Sequence, residues 1–344
     1  MSIAILGYGI VGSGAFDYLG ANKDRLRQRT GAEVNVKWIL DLKDKIDVGA
    51  QKFLTHNASD ILDDPEVTIV VECMGGIEPA YTYVKTALTN GKSVVTSNKE
   101  LVAARGGELL AIAKANSVNF LFEASVGGGI PIILPLEQSL MLDDITQIAG
   151  ILNGTTNYIL TNMKNRGISF DEALKEAQDA GFAEANPSAD VDGFDTCRKL
   201  AILLSLTLGK QVDFNDIPIT GITKITQEDF ALAASKGKTI KLLGMAKIDG
   251  GRLSARVAPF MIDLTHPLAN IYNEYNAISV TGKLSGDMMF CGKGAGKLPT
   301  AAAVITDVAM CARHPDKYIG WGWNLEKVSV SPLETENIGG MFVC

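Results

Sequence analysis

The first dozen residues restrict the fold more than any others. Ser2 to Leu6 is a short apolar run ending in Gly7-Tyr8-Gly9-Ile10-Val11-Gly12, after which Val11, Ala15, Tyr18 and Leu19 recur at helical spacing. In a strand, GxGxxG turn and helix of this kind, Gly7 permits the tight turn, Gly9 lets the main chain approach a pyrophosphate, and Gly12 allows the helix to pack closely. The helix start, through Ile10 and Val11, offers unpaired N–H groups to phosphate oxygens. A lone GxGxxG carries little weight. Directly behind a strand at the start of the chain, it points to a dinucleotide site.

The next strand, Val34 to Leu40, ends at Asp41. An acid at this point accepts hydrogen bonds from the adenosine ribose and repels a 2′-phosphate, although Asp41 lies farther along than the roughly 20 residues usual for it. Lys43 and Lys45 can neutralise such a phosphate or be plain loop charges, so the pattern leans only slightly to NAD over NADP. Further strands at Thr68 to Glu72 and Ser93 to Thr96 alternate with helical stretches such as Glu78 to Asn90. This alternation predicts an α/β fold of Rossmann type, a doubly wound parallel sheet whose ligand crevice lies at the carboxyl ends of the strands. Cys73-Met74-Gly75-Gly76 and Ser97-Asn98-Lys99 should rim that crevice. Lys99 is therefore a candidate for contact with substrate or cofactor, the alternative being a surface lysine at a helix start.

Phe120 to Ala124 reads as one more strand running into Ser125-Val126-Gly127-Gly128-Gly129-Ile130-Pro131. Glu123 beside a run of exposed carbonyls suits a hard, oxygen-seeking cation. The glycines serve equally well to turn the chain out of the sheet.

At 344 residues, with 47% hydrophobic and 21% charged residues, the chain has room for a second domain. Asp144 to Ile151 reads as a strand, Tyr158 to Arg166 as a helix closed by Gly167, and Ser169 with Glu172 as a capping box. Thr226 and Asp229 form another box. Strand-like segments at Leu242 to Ile248, Leu253 to Pro259 and Ala277 to Lys283 predict an antiparallel or mixed sheet, hence an α+β second domain. The glycine cluster from Phe290 to Gly296 precedes a helix from Pro299 to about Cys311, which would return the chain to the first domain.

Between these lies GFAEANPSADVDGFDTCRKLAILLSL, which starts at Gly181. Its helix, Asp195 to Leu208, turns Leu200, Leu203, Leu204 and Leu208 to the core. Asp195 and Lys199, at i and i+4, share one face. An isolated pair of this kind is usually an exposed ion pair of small value. Here Glu184, Asp190 and Asp192 precede it, and the group can hold a polar substrate and pass it a proton.

Composition excludes several classes. A net charge of −7 gives no general basic face for nucleic acid or an anionic membrane. The five cysteines, Cys73, Cys197, Cys291, Cys311 and Cys344, are scattered without CxxC spacing, so a reducing, cytoplasmic location is expected rather than a disulfide framework or zinc site. The N-terminus has neither a basic leader nor a membrane-length apolar run. His56, His266 and His314 do not cluster. Cys73, with no basic partner nearby in sequence, reads as packing rather than a nucleophile. Lysine is the leading proton donor.

Asn98-Lys99, EASVGGGIP from Glu123, GILNGTTNYIL from Gly150 and FAEANPSADVDGFDTCRKLAIL from Phe182 follow the GxGxxG in order, and the chain closely resembles homoserine dehydrogenase. HPLANIYNEYNAISVTGK and GKGAGKLPTA extend the likeness to about Ala301. The resemblance implies reversible NAD(P)-dependent interconversion of L-aspartate 4-semialdehyde and L-homoserine, on the route to threonine and methionine, by a homodimer. It also implies Lys199 as proton donor and acceptor, Glu184 and Asp195 gripping the amino acid, and Lys99 near cofactor and substrate. Gly181, Gly294 and Gly296 fall where the family touches the cofactor, and Glu123 with the carbonyls of Val126, Gly128 and Ile130 matches a sodium site. Asn186 and Cys291 depart from the usual residues, aspartate at the first and tyrosine or glutamine at the second. Residues 1–132, completed by about 297–344, are expected to form the dinucleotide-binding domain, and 133–296 the substrate-binding and dimerisation domain. Pro131 to Leu142 and Leu242 to Ile262 are the strand-forming segments expected to pair across a two-fold axis. No kinase-like extension or small regulatory domain is expected, and hence no threonine feedback through one. An aspartate-semialdehyde dehydrogenase would need a reactive cysteine with a nearby phosphate site, and a non-catalytic NAD-binding scaffold would have no use for Lys199, Asp195 and Glu184 together.

Overall fold

A computed structural model describes residues 1–315, 317–334 and the backbone of 342–343. Asp316, residues 335–341 and Cys344 lie outside the described residues, and with them part of the 297–344 segment expected to complete the first domain. The chain divides into two compact units. The first comprises Met1–Glu137, Leu208–Gln211 and Ala295–Glu326, and the second Gln138–Thr207, Val212–Gly294 and Lys327–Cys344.

In the first unit a parallel sheet of six strands is built from β1 (Ser2–Leu6), β2 (Asn35–Leu40), β3 (Leu54–Thr55), β4 (Val67–Glu72), β5 (Ser93–Thr96) and β6 (Phe120–Leu121), in the order β3-β2-β1-β4-β5-β6. Ile3, Ala4, Ile5 and Leu6 are all buried, without the alternation of a one-sided strand, because helices cover both faces of a parallel sheet. Those helices are α1 (Ile10–Ala21), α2 (Lys23–Thr30), the single turns α3 (Val48–Gln51) and α4 (Ser59–Leu62), α5 (Ala80–Thr89) and α6 (Lys99–Ala115). The helix α12 (Lys297–Arg313) packs against α1, and Val304 and Val308 join the core formed by Ile3, Ile5, Leu19 and Val71. The strand order reverses between β1 and β4, so the crevice opens at Gly7 and Cys73.

The second unit contains α7 (Gly154–Arg166), α8 (Phe170–Asp179), the turn α9 (Ser188–Val191), α10 (Phe194–Leu208) and α11 (Gln227–Ser235). Both predicted capping boxes form, at Ser169 with Glu172 and at Thr226 with Asp229. Its sheet takes β7 (Ile145–Ile151), β9 (Lys238–Asp249), β10 (Arg252–Asp263), β11 (Tyr275–Gly282), β12 (Gly286–Lys293) and β14 (Val330–Pro332), in the order β12-β11-β7-β9-β10-β14, while β8 (Lys210–Val212) and β13 (Asn324–Val328) form a separate two-stranded ladder. Gly250 and Gly251, both at positive φ, turn β9 into β10 as a two-residue hairpin loop requires. Helix α10 lies on β9 at Gly244, where an added Cβ would meet Thr196 Cγ2 at 3.2 Å and Leu200 Cβ at 3.4 Å. The missing side chain thus sets the depth of α10.

Several sequence expectations change. Pro131 to Leu142 is not a strand: it contains a π-helical turn, Pro135–Ser139. The N–H groups of Ile132, Ile133 and Leu134 are spent on the Glu123 carboxylate, at 2.7, 3.0 and 2.7 Å, so they cannot enter a ladder. Segment 242–262 does form strands, but β9 is flanked by β7 and β10, and β10 by β9 on one side and by β14 and the Phe342–Val343 strand on the other. The outer strand at the opposite side is β12, which takes in Phe290 to Lys293 of the glycine cluster.

Candidate functional site

The GxGxxG turn has the shape its glycines predict. Gly7 sits at φ +91°, and a Cβ on Gly12 would lie 1.9 Å from the Gly7 carbonyl oxygen. A Cβ on Gly9, by contrast, would meet nothing within 4 Å, since Gly9 faces open space at the N-terminus of α1. No acidic residue stands in the first turn of α1 and no side chain caps it, and Ile10 is largely exposed. This is a cradle for an anion, and it fits the pyrophosphate of a dinucleotide.

Asp41, despite its distance in sequence, reaches the same turn. Its Oδ2 accepts the Tyr8 N–H at 2.6 Å and its Oδ1 the Lys43 N–H at 2.9 Å. Beside it a cavity of about 540 Å³ is lined by Gly9, Ile10, Ser13, Lys43, Lys45 and Lys297, among others. Gly296, at φ +118°, caps the start of α12, and the next residue, Lys297, donates to Asp17 at 2.8 Å. Gly296 therefore reaches the rim of this cavity.

On the other side of Gly7, the loop Cys73–Gly76 is shaped by Glu72, a fully buried acid that the sequence reading missed. Its Oε1 accepts the Met74 N–H at 2.7 Å and its Oε2 the Thr96 hydroxyl at 2.5 Å, while burial pushes its carboxyl up from the ordinary range. Asn98 was also missed in this role. It donates to the Gly76 carbonyl at 2.6 Å and caps α6, whose first residue is Lys99. Lys99 is thereby fixed at the crevice rim. An acid closing an otherwise apolar strand was the available signal for Glu72. The thiol of Cys73 is pushed up by burial and by Glu72, the opposite of an activated nucleophile.

In the second unit the Asp195–Lys199 pair is not an exposed ion pair. Asp195 is 2% and Lys199 9% exposed, and Lys199 Nζ donates to Asp195 Oδ2 at 2.7 Å and to the Leu152 carbonyl at 2.8 Å. Burying two charges costs about as much as their attraction returns, so such a pair is poor value as a stabiliser. Glu184 is exposed on the loop after α8, with Gly181 at φ +76° before it. Thr155 ties that loop to the start of α7 by donating to the Phe182 carbonyl at 2.7 Å. Gly294 packs on Asn276, whose Nδ2 would lie 2.1 Å from an added Cβ.

Glu123 is buried, with its carboxyl pushed up by burial, and its N–H donates to Asp307 Oδ2 at 2.8 Å. Gly127 and Gly128, at positive φ, turn the chain around it, and Val126 and Ile130 are buried in that turn. The Glu123 oxygens accept the N–H groups of Ile132, Ile133 and Leu134, and a carboxylate with main-chain carbonyls is the donor type that suits a hard cation. The described residues contain no cluster of three His, Cys, Asp or Glu suited to a metal ion.

The chain matches the family pattern described as "Homoserine dehydrogenase" over residues 131–309 and that described as "Homoserine dehydrogenase, NAD binding domain" over 7–123. It is 45% identical over 315 residues to the homoserine dehydrogenase of Bacillus subtilis (strain 168), covering 91% of this chain and 73% of that one. A crystal structure of a homoserine dehydrogenase from Thiobacillus denitrificans superposes with a TM-score of 0.91 at 38% identity, over 98% of this chain and 80% of that one. A hyperthermophilic archaeal homoserine dehydrogenase in complex with NADPH matches with a TM-score of 0.75 at 26% identity, over 91% of this chain and 98% of that one. With a dinucleotide cradle in one unit and a buried lysine–carboxylate pair in the other, the chain belongs to the homoserine dehydrogenase family.

Proposed function

We propose that this chain reversibly reduces L-aspartate 4-semialdehyde to L-homoserine, with Lys199 supplying the proton. The observation that carries the residue assignment is the Lys199 ammonium, buried yet held in place by Asp195 and the Leu152 carbonyl. When bound, the dihydronicotinamide supplies a hydride to the aldehyde carbon. The carbonyl electron pair becomes an alkoxide, which the Lys199 ammonium stabilises and protonates. In the reverse direction neutral Lys199 takes the hydroxyl proton. Asp195 and Glu184 supply the negative charge that suits the substrate ammonium, and Lys99 places a second cation at the crevice rim. Ultraviolet absorbance of the reduced nicotinamide, with L-homoserine and either cofactor, tests the reading. Absence of turnover with both would overturn it.

Gly7, Gly9, Ile10, Val11 and Gly12 would hold the pyrophosphate, with Gly181, Gly294 and Gly296 as further contacts. Asp41 favours the unphosphorylated ribose, whereas Lys43, Lys45 and Lys297 around the cavity suit a 2′-phosphate as in NADPH, the ligand of the archaeal relative. Replacing Lys43 and Lys45 together by alanine should raise KM for NADPH about tenfold or more, the worth of a lost charged contact, and leave that for NADH nearly unchanged. Steady-state kinetics with both cofactors checks this.

Glu123 with the carbonyls of Val126, Gly128 and Ile130 would hold sodium, offsetting the negative charge of Glu123 beside Asp307. Thermal midpoints in sodium against tetramethylammonium buffers test that site, and equal midpoints would count against it. A homodimer is expected through the second unit, where β12 is an outer strand with Met289 and Cys291 exposed. Sedimentation equilibrium decides it. The described residues contain no helix long and apolar enough to cross a membrane. The cysteines Cys73, Cys197, Cys291 and Cys311 are free, as suits the cytoplasm.

A further inference from the structure

The NGTTN segment opens α7, and its first residue does more than cap that helix. Asn153 is buried, and its Oδ1 accepts the Thr156 N–H at 2.8 Å. Its Nδ2 donates to Asp190 Oδ1 at 2.7 Å and to Asp195 Oδ2 at 2.9 Å. Both amide hydrogens therefore go to carboxylates, and the carbonyl goes to a main-chain donor. Asp195 Oδ2 is the same oxygen that receives Lys199 Nζ, and the Leu152 carbonyl that Lys199 also contacts belongs to the residue before Asn153.

We propose that Asn153 is a positioning residue for the proton transfer, holding Asp195 and, through it, Lys199. The inference rests on the reading of Lys199 as proton donor. Two carboxylates, one from the turn α9 and one from the first turn of α10, converge on a single neutral amide. That amide supplies a hydrogen bond to each and adds no charge. Aspartate at this position would preserve the cap but place a third carboxylate two hydrogen bonds from Nζ. Serine would preserve the cap acceptor and lose both donors.

The test compares pH profiles of kcat for L-homoserine oxidation, KM for both substrates and thermal midpoints for the wild type, Asn153→Asp, Asn153→Ser and Lys199→Ala. Oxidation needs neutral Lys199, and an added negative charge favours the ammonium, so the Asn153→Asp profile should move to higher pH by about one unit or more. Its kcat at neutral pH should fall at least tenfold while KM for the cofactor holds. Asn153→Ser should lower kcat by more than its fall in midpoint accounts for, because serine caps helices nearly as well as asparagine while the two carboxylates lose their donor. A profile of Asn153→Asp that superimposes on the wild type would overturn the proposal. So would losses of kcat that merely track the midpoint, or an Asn153→Ser enzyme with full kcat, the latter deciding the matter if the aspartate variant fails to fold. Normal turnover by Lys199→Ala would instead sink the underlying reading. An inactive Lys199→Ala beside unaffected Asn153 variants removes only the role of Asn153.

Discussion

Lys199→Ala should lower kcat in both directions by roughly 10²- to 10⁴-fold, the usual worth of a positioned general acid or base. The affinity for reduced cofactor, read by its fluorescence, should stay close to that of the wild type, because the residues expected to bind it are untouched. The loss should fall on kcat, since proton transfer belongs to the transition state. Removing Lys199 also takes from the buried Asp195 the ammonium that donates to its Oδ2. Some fall in thermal midpoint is therefore expected. Lys199→Gln keeps a donor for Asp195 and should recover much of the midpoint without activity. Separating midpoint from kcat in this way distinguishes a catalytic lysine from a structural one, and near-normal turnover in either variant would remove Lys199 from the chemistry.

The second large effect belongs to the glycine turn. In Gly12→Ala the new methyl would lie 1.9 Å from the Gly7 carbonyl oxygen, and 3.4 Å from Ile5 Cγ2. The first obstacle is main chain and cannot rotate away, so β1 and α1 must separate. A cost of about 1–3 kcal/mol or more follows from overpacking of this kind, with cofactor binding weakened at least tenfold. Gly9→Ala is the contrasting variant. Its methyl meets no protein atom within 4 Å, so the midpoint should hold while cofactor affinity falls, because the methyl occupies the approach of the pyrophosphate. Equilibrium binding and thermal melts on the two variants separate a turn needed for folding from a surface needed for the ligand. Undiminished cofactor affinity in Gly9→Ala would count against the pyrophosphate assignment.

Much of the fold is legible in the chain. Unbroken apolar runs such as Ile3 to Leu6, interrupted by glycines and alternating with helical spacing, specify a parallel sheet because only a strand covered on both faces can afford such a run. Both capping boxes were readable because their partners lie three residues apart. The errors are of another kind. Pro131 to Leu142 has the apolar content of a strand, but its main-chain donors are claimed by Glu123, a competition that no local pattern reveals. The β12 segment, rich in glycine and methionine, has weak strand propensity and forms by pairing with β11 along its whole length.

The site divides along the same line. The sequence by itself determined the dinucleotide turn and the family and singled out Lys199 as a candidate, because these rest on residue types at fixed spacing. Tertiary structure decided what spacing cannot carry: that Asp41 returns to the Tyr8 N–H, that Glu72 and Asn98 shape the loop beside Lys99, and that Asp195 and Lys199 are buried. An i, i+4 pair has the same local geometry on an exposed face as in a core. Only the burial at the β7–α7 junction, where the Leu152 carbonyl accepts from Lys199 and the Asn153 amide donates to Asp195, separates this pair from an exposed ion pair.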